Sequence, residues 1–271
     1  MRTTVLLLAA CTAAPATSPT TTAPPLDDGK ADGDTPTIWQ PHPGTPWQWQ
    51  LSGTIDTSFD VAMYDIDLFD APQAKIDELH AAGREVICYF SAGSREDWRP
   101  DANDYPDAAL GNDLDGWPGE RWVDTRDATV RAILAARLDR AVSKHCDGVE
   151  PDNVDGYAND PGFPLTSDTQ LDFNRFLATE AHAHGLSVGL KNDLDQIDDL
   201  VGAFDWALNE QCFQYDECDA LVAFVDAGKA VFEVEYGSAS LANSVCPKAN
   251  ARNFDTLIKS LSLGATRTSC R

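Results

Sequence analysis

Three stretches of the chain repeat one plan. "DELHAAGREVICYF" (77–90), "ATEAHAHGLSVGLKN" (178–192) and "VAFVDAGKAVFEVEY" (222–236) each pass from helical spacing, through a glycine, into a short β-branched apolar run. The glycine supplies the left-handed backbone that stops a helix, and the run after it is too apolar for a strand with one wet face. Such repetition predicts βα units around a parallel sheet. Eight strand candidates follow along the chain: 59–66, 85–91, 121–125, 147–152, 187–192, 205–210, 230–236 and 265–270. Between them lie stripes at three-four spacing, such as Val130, Ile133, Leu134, Leu138, Ala141 and Val142, and then Ile197, Leu200, Val201 and Phe204. Ser167 and Gln170 stand at capping-box spacing before another stripe. Eight such units in about 235 residues match the size of an α/β (β/α)8 TIM barrel. A doubly wound open sheet fits less well, because no glycine-rich phosphate loop follows the first strand candidate.

Barrel chemistry gathers at the C-terminal ends of the strands, and there this sequence turns polar. Tyr64, Asp65 and Asp67 end the first candidate, Tyr89 and Ser91 the second, Asp124 the third. Glu150 and Asp152, with Asn153 next to them, end the fourth, and Lys191 and Asn192 the fifth. Asn209, Glu210 and Gln211 follow at the sixth, Glu235 and Tyr236 at the seventh. Period-two geometry puts Glu150 and Asp152 on one face of their strand, while Asp155 falls in the loop beyond.

The first 36 residues stand apart from this pattern. "MRTTVLLLAAC" resembles a bacterial lipoprotein signal, with residues 1–10 removed and Cys11 carrying the lipid; its apolar run is too short to span a bilayer. Residues 11–36, rich in Thr, Pro, Ala, Asp and Gly, are expected to be a disordered tether, and "DDGKADGD" lacks the ligand spacing of a calcium loop. The folded domain is expected over 37–271. These features predict an exported protein, membrane-anchored or secreted, touching the membrane only through its lipid.

Cysteine arithmetic agrees with export. Setting Cys11 aside leaves six of the seven cysteines for the domain, an even number suited to oxidised pairs. Cys212 with Cys218 would close a short loop, Cys246 with Cys270 would tie down the C-terminus, and Cys88 and Cys146 are left to each other. No CxxC pair or histidine cluster points to a metal, since His80, His145, His182 and His184 lie in helical stretches, and no cofactor is called for. Charge narrows the partner: 44 acidic against 20 basic residues give a net charge of −24, unfavourable for nucleic acid or an anionic membrane and favourable for a cationic ligand.

"YFSAGSREDWRPD", "LDGWPGERWVDTRD", "DGVEPDNVDGY", "GLKND", "ALNEQCFQYDEC" and "EVEYG" together resemble glycoside hydrolase family 114, the endo-α-1,4-polygalactosaminidases. The likeness runs from about Trp47 to Tyr236, with the blocks in the order of the strand candidates. It implies an endo-acting hydrolase of α-1,4-linked galactosamine polymers, with Asp152 and Glu210 as the catalytic carboxylates. Two carboxylates suffice for that chemistry: one attacks the sugar or activates water, while the other donates a proton to the leaving oxygen. Asp152 is expected to attack and Glu210 to serve as acid and then base; Glu150 remains the alternative nucleophile or an amine-binding group. Lys191 is expected to hold the nucleophile ionised. Trp98 and Trp117 in the loop after the second strand candidate, with Tyr89, Tyr157 and Tyr236 at the rim, are candidates for stacking on sugars. The remaining polar rim residues, Asp65, Ser91, Asp124, Asn153, Asn192, Gln211 and Glu235, are candidate substrate contacts. No dimer interface is readable, and a monomer is expected. A barrel glycosidase for another α-linked sugar polymer, or a non-catalytic polysaccharide-binding lipoprotein, are the alternatives.

Overall fold

The computed structural model describes residues 38–271. The expected signal (1–10), the acylated Cys11 and the tether (11–36) lie outside the described residues. An α/β fold is seen, built on a curled nine-stranded sheet. Chain order gives β1 (Trp47–Gln50), β2 (Met63–Asp67), α1 (Gln73–Ala81), β3 (Glu85–Ser91) and a small excursion, β4 (Ser94–Glu96), β5 (Leu110–Asp113) and β6 (Glu120–Val123). Then come α2 (Ala128–Ser143), β7 (Gly148–Asp152), α3 (Ser167–Ala183), β8 (Ser187–Lys191), β9 (Trp206–Glu210), β10 (Val231–Tyr236), β11 (Asp255–Lys259) and β12 (Thr268–Ser269). Strands β1, β2, β3, β7, β8, β9, β10 and β11 pair in that order and all in parallel; β12 joins β11 antiparallel.

Eight parallel strands were expected, but two of the expected members are different segments. The run 121–125 is not one of them: β6 pairs antiparallel with β4 and β5 in a separate three-stranded sheet. The run 265–270 supplies only the short antiparallel β12. Their places are taken by β1 and β11, "WQWQ" and "DTLIK", whose buried polar residues hid them from a hydrophobic pattern: Gln48, Asp255 and Lys259 are all closed to solvent. The helix at 167 is capped one residue earlier than expected, by a Thr166–Thr169 capping box.

Alternation along the strands divides the apolar residues into two clusters. Tyr64, Ile66, Val86, Cys88, Phe90, Val149, Val188 and Leu190 pack with the helical stripes of α2 and α3 in the larger cluster. Trp47, Trp49, Met63, Ile87, Trp206, Leu208, Phe232, Val234 and Leu257 form the other, drawn from both ends of the sheet, with the Trp47 and Phe232 ring centroids 4.8 Å apart. Gly189 makes room for that floor: a Cβ there would meet the Trp206 ring at 2.2 Å. Aromatic floor below and polar strand ends above is the arrangement that places the site.

The three disulfides among the described residues join the pairs expected from the cysteine spacing: Cys88–Cys146, Cys212–Cys218 and Cys246–Cys270. Cys88–Cys146 ties β3 to the segment between α2 and β7 across 58 residues, the longest of the three closures. Replacing that pair by alanines is expected to cost about 2–5 kcal/mol, read as a lower urea midpoint. An unchanged midpoint would show that the bridge does not constrain the unfolded chain.

Candidate active site

Period-two alternation aims Glu150 and Asp152 of β7, Lys191 of β8 and Glu210 of β9 toward one place above the aromatic floor. The Lys191 ammonium is its hub, 2.8 Å from Glu150 Oε1, 3.2 Å from Asp152 Oδ1 and 3.3 Å from Glu210 Oε2. It also lies 4.9 Å from the Trp49 ring centroid and 5.8 Å from that of Tyr89. Burial alone would lower the pKa of Lys191, but Asp152, Glu150 and Glu210 together push it well above the ordinary lysine range. The Lys191 ammonium thus sits among three carboxyl groups whose charge favours its protonated form.

Each of the two expected catalytic groups has a tyrosine. Tyr89 donates to Asp152 Oδ2 at 2.9 Å, and the Tyr236 hydroxyl donates to Glu210 Oε1. Asn192 completes the Glu210 setting, accepting from the Glu210 backbone N–H at 3.0 Å and donating to Oε2 at 3.4 Å. The strands that deliver Asp152, Lys191 and Glu210 each run into left-handed residues that are not glycines: Asn153 (φ 60°), Asn192 (φ 49°) with Asp193 (φ 45°), and Gln211 (φ 66°). Such backbone costs about 1–3 kcal/mol per residue and is concentrated where a chain must turn sharply to aim a side chain.

Above the hub opens a cleft of about 780 Å³. Among the expected site residues its walls include Asp152, Glu210, Tyr89, Trp98, Trp117, Asn153, Tyr157, Lys191, Asn192, Gln211 and Tyr236. Trp98 and Trp117 are 53% and 47% exposed, which leaves their faces open to a ligand instead of spent on packing. Asp155, expected in a loop, is also on the wall, and burial pushes it up to about 6, with Asp152 repelling it further.

Five expected residues are not on the wall. Asp65 and Glu150 lie beneath it, both fully buried. Ser91 is also buried, holding the Ser94 hydroxyl at 2.6 Å and accepting from Asn153 Nδ2 at 2.8 Å. Asp124 follows β6, outside the parallel sheet, and pairs with Arg126 at 2.7 Å. Glu235 cannot share a face with Tyr236 on the same strand, and it accepts from the backbone N–H groups of Phe213 and Gln214 at 2.7 and 3.2 Å.

Several cleft residues carry no expectation from sequence. Glu96 and Glu120 face one another across β4 and β6, and both line the cleft with Trp122. Burial pushes Glu120 up to about 7, opposed by the hydrogen bond from Ser94. Asp193 is on the opposite wall, also raised to about 7 by burial and then by Asp155. In all, eleven carboxylates line the cleft against two basic residues, Arg99 and Lys191. Among the described residues no group of His, Cys, Asp or Glu is arranged to hold a metal ion.

A family model for glycoside-hydrolase family GH114 matches residues 30–271. The chain belongs to glycoside hydrolase family 114. It is therefore a glycoside hydrolase, and the family 114 match spans all of the described residues. The crystal structure of Aspergillus fumigatus Ega3 in complex with galactosamine is similar at 47% identity and a TM-score of 0.83, covering 86% of this chain and 98% of that one. The glycoside hydrolase domain of PelA from Pseudomonas aeruginosa shares the fold, with a TM-score of 0.65 at 12% identity over 83% of this chain and 97% of that domain. No curated protein matches the chain.

Proposed function

We propose that this family 114 enzyme cleaves α-1,4-linked galactosamine polymers internally, with Asp152 as nucleophile, Glu210 as acid and base, and retention of the anomeric configuration. One observation carries the assignment of roles. Asp152 and Glu210 reach the same ammonium from different strands, at 3.2 and 3.3 Å, with side chains 18% and 23% exposed at the cleft floor. Two oxygens touching one nitrogen at those distances are separated by at most ~6.5 Å, whereas carboxyl groups ~6.5–9.5 Å apart leave room for an inverting water and ~5–5.5 Å suits direct attack. Glu150, closed to solvent behind Lys191, has no path to a sugar.

In the first step an Asp152 oxygen bonds to the anomeric carbon as the glycosidic C–O bond breaks, and Glu210 passes its proton to the departing oxygen. Glu210, now a carboxylate, then takes a proton from water. The water oxygen bonds to the anomeric carbon, the ester to Asp152 breaks, and both residues are restored. The Lys191 ammonium lies within 3.2 and 3.3 Å of the two groups and, with the Tyr89 and Tyr236 hydroxyls, fixes their orientation.

The substrate part of the proposal rests on the galactosamine held by the Ega3 structure and on the charge of this cleft. Eleven carboxylates against two basic residues suit a polymer with a protonated amine on its sugars, and half-exposed Trp98 and Trp117 give those sugars faces to stack on. We further read the curled sheet as a closed (β/α)8 barrel. Supporting that, Trp47 Nε1 of β1 donates to Asp255 O of β11 at 2.7 Å, and just beyond the ends of these two strands the Leu51 backbone N–H donates to Leu263 O at 3.0 Å. Export, a lipid at Cys11 and action as a monomer belong to the same proposal, and three disulfides support work outside the reducing cytoplasm. Incubating the enzyme with defined α-1,4-galactosamine oligomers is expected to yield shorter oligomers cut at internal bonds. Intact oligomers, or release of single terminal sugars only, would overturn the proposed activity.

A further inference from the structure

The buried layer beneath the cleft holds two carboxyl groups that the reaction does not touch. Glu150 is well supplied with donors: Lys191 Nζ at 2.8 Å and Trp49 Nε1 at 2.9 Å both go to it. Asp65, next to it on β2, has none. Both Asp65 oxygens are buried without any hydrogen-bond donor, and the residue is closed to solvent. Its register neighbours are Trp49 on β1, whose N–H is committed to Glu150, and the apolar Ile87 on β3. The charged groups that act on it are Glu150 and Asp152 on β7 and Lys191 on β8, and of these Glu150 is the one that shares a hydrogen bond with it. Two carboxyl groups can bond to one another only if one of them carries a proton. Since Glu150 has two donors and a cation while Asp65 has neither, the proton belongs on Asp65. Burial raises both groups, Asp65 the further because Glu150 repels it, whereas Lys191 pulls Glu150 back.

We propose that Asp65 acts as a neutral hydrogen-bond donor to Glu150, and that the two are positioning residues whose joint task is to hold the Lys191 ammonium between Asp152 and Glu210. Glu150 takes one of the three ammonium hydrogens at 2.8 Å, which leaves the other two for the contacts to the reacting carboxylates. Asp65 keeps Glu150 in place without adding a further charge to a site that already holds three carboxylates. This inference rests on the galactosaminidase proposal for its assay but concerns a pair that never meets the sugar.

The test is a set of variants of the full chain assayed on α-1,4-galactosamine oligomers. Asp65→Asn offers an N–H where the acid offers an O–H, and is expected to keep kcat within about fivefold of the wild type. Asp65→Leu, which removes the donor, is expected to lose about 100-fold in kcat with KM little changed. An Asp65→Asn enzyme as impaired as Asp65→Leu would overturn the proposal, because it would show that the position needs a negative charge. Glu150→Gln removes a negative charge beside Lys191 and Asp152. Ionised carboxylates in the site are then favoured, so both limbs of kcat against pH should move to lower pH. A lowered kcat with both limbs unmoved would mean that Glu150 only supports the fold. The infrared spectrum of the unmodified protein at neutral pH should contain a carboxylic-acid carbonyl band that Asp65→Asn lacks. A wild-type spectrum without that band overturns the proposal even if the Leu variant does not fold. Wild-type enzyme that fails to cleave the oligomers would instead sink the substrate assignment and leave the infrared test of the pair standing.

Discussion

An Asp152→Asn enzyme is expected to lose at least ~10⁴-fold in kcat on α-1,4-galactosamine oligomers while folding normally. A carboxamide cannot form the ester that splits the reaction into two easier steps, and nucleophile replacements of this kind cost losses of that order. The surroundings of Asp152 tolerate the change. Its oxygens accept from Tyr89 at 2.9 Å and from the Asn153 backbone N–H at 2.8 Å, and an amide oxygen can replace one acceptor. Asp152 repels the buried Glu150 but also supports the Lys191 ammonium at 3.2 Å, so the two electrostatic effects of removing its charge oppose one another. A thermal midpoint close to that of the wild type, with turnover gone, is the expected pair of results. Turnover within about tenfold of the wild type would remove Asp152 from the role of nucleophile.

Glu210→Gln should behave differently from one substrate to the next. On the polymer, where the departing sugar oxygen needs a proton, the loss is expected at ~10²–10⁴-fold. On an aryl galactosaminide with an acidic phenol as leaving group, the first step needs no proton from the protein. There the glycosyl-enzyme should form rapidly and then persist, because the carboxamide of the Glu210→Gln variant cannot deprotonate water. Azide, an anionic nucleophile needing no base, should restore turnover. Steady-state and burst kinetics on the two substrates make the comparison. Equal losses on both, with no response to azide, would show that Glu210 is not the acid and base.

The strands that carry the site were the most legible part of the chain. β3, β7, β8, β9 and β10 follow the helix–glycine–strand plan or continue it, and their polar ends fall at the cleft. β1 and β11 were not legible. "WQWQ" alternates large aromatics with amides that are themselves buried, Gln50 being held by the backbone oxygens of Ser52 and Thr54, and "DTLIK" places a buried charge at each end. Polarity marks exposure only where the fold offers no partner for the polar group. "RWVDT" misled in the opposite direction, since a short run around Trp122 and Val123 reads alike in a parallel strand and in the antiparallel excursion after β3.

Within the site, what sequence could not decide was depth and facing. Glu150 and Asp152 share a face, yet one step of two residues along the strand separates a buried partner of Lys191 from a carboxylate at the cleft floor. Glu235 and Tyr236 are adjacent, and only the sheet shows which of them faces the cleft. Glu96 and Glu120 had no strand-end position to reveal them, because they belong to the excursion whose β-sheet exists only once β4 and β6 meet. The long polar segment between β3 and α2, with its two open tryptophans, was the one available sign that this region covers a cleft.

Double displacement at Asp152, with Glu210 as acid and base on an α-1,4-galactosamine polymer, is tested most directly by the configuration of the newly made sugar end. Proton NMR of defined galactosamine oligomers, recorded from the first moments of cleavage, reads it. The new reducing ends should appear first in the α configuration and only later drift toward the β form by mutarotation. Reducing ends that appear first as β would contradict the nucleophilic role of Asp152, and a spectrum in which no new reducing end appears would contradict the activity itself.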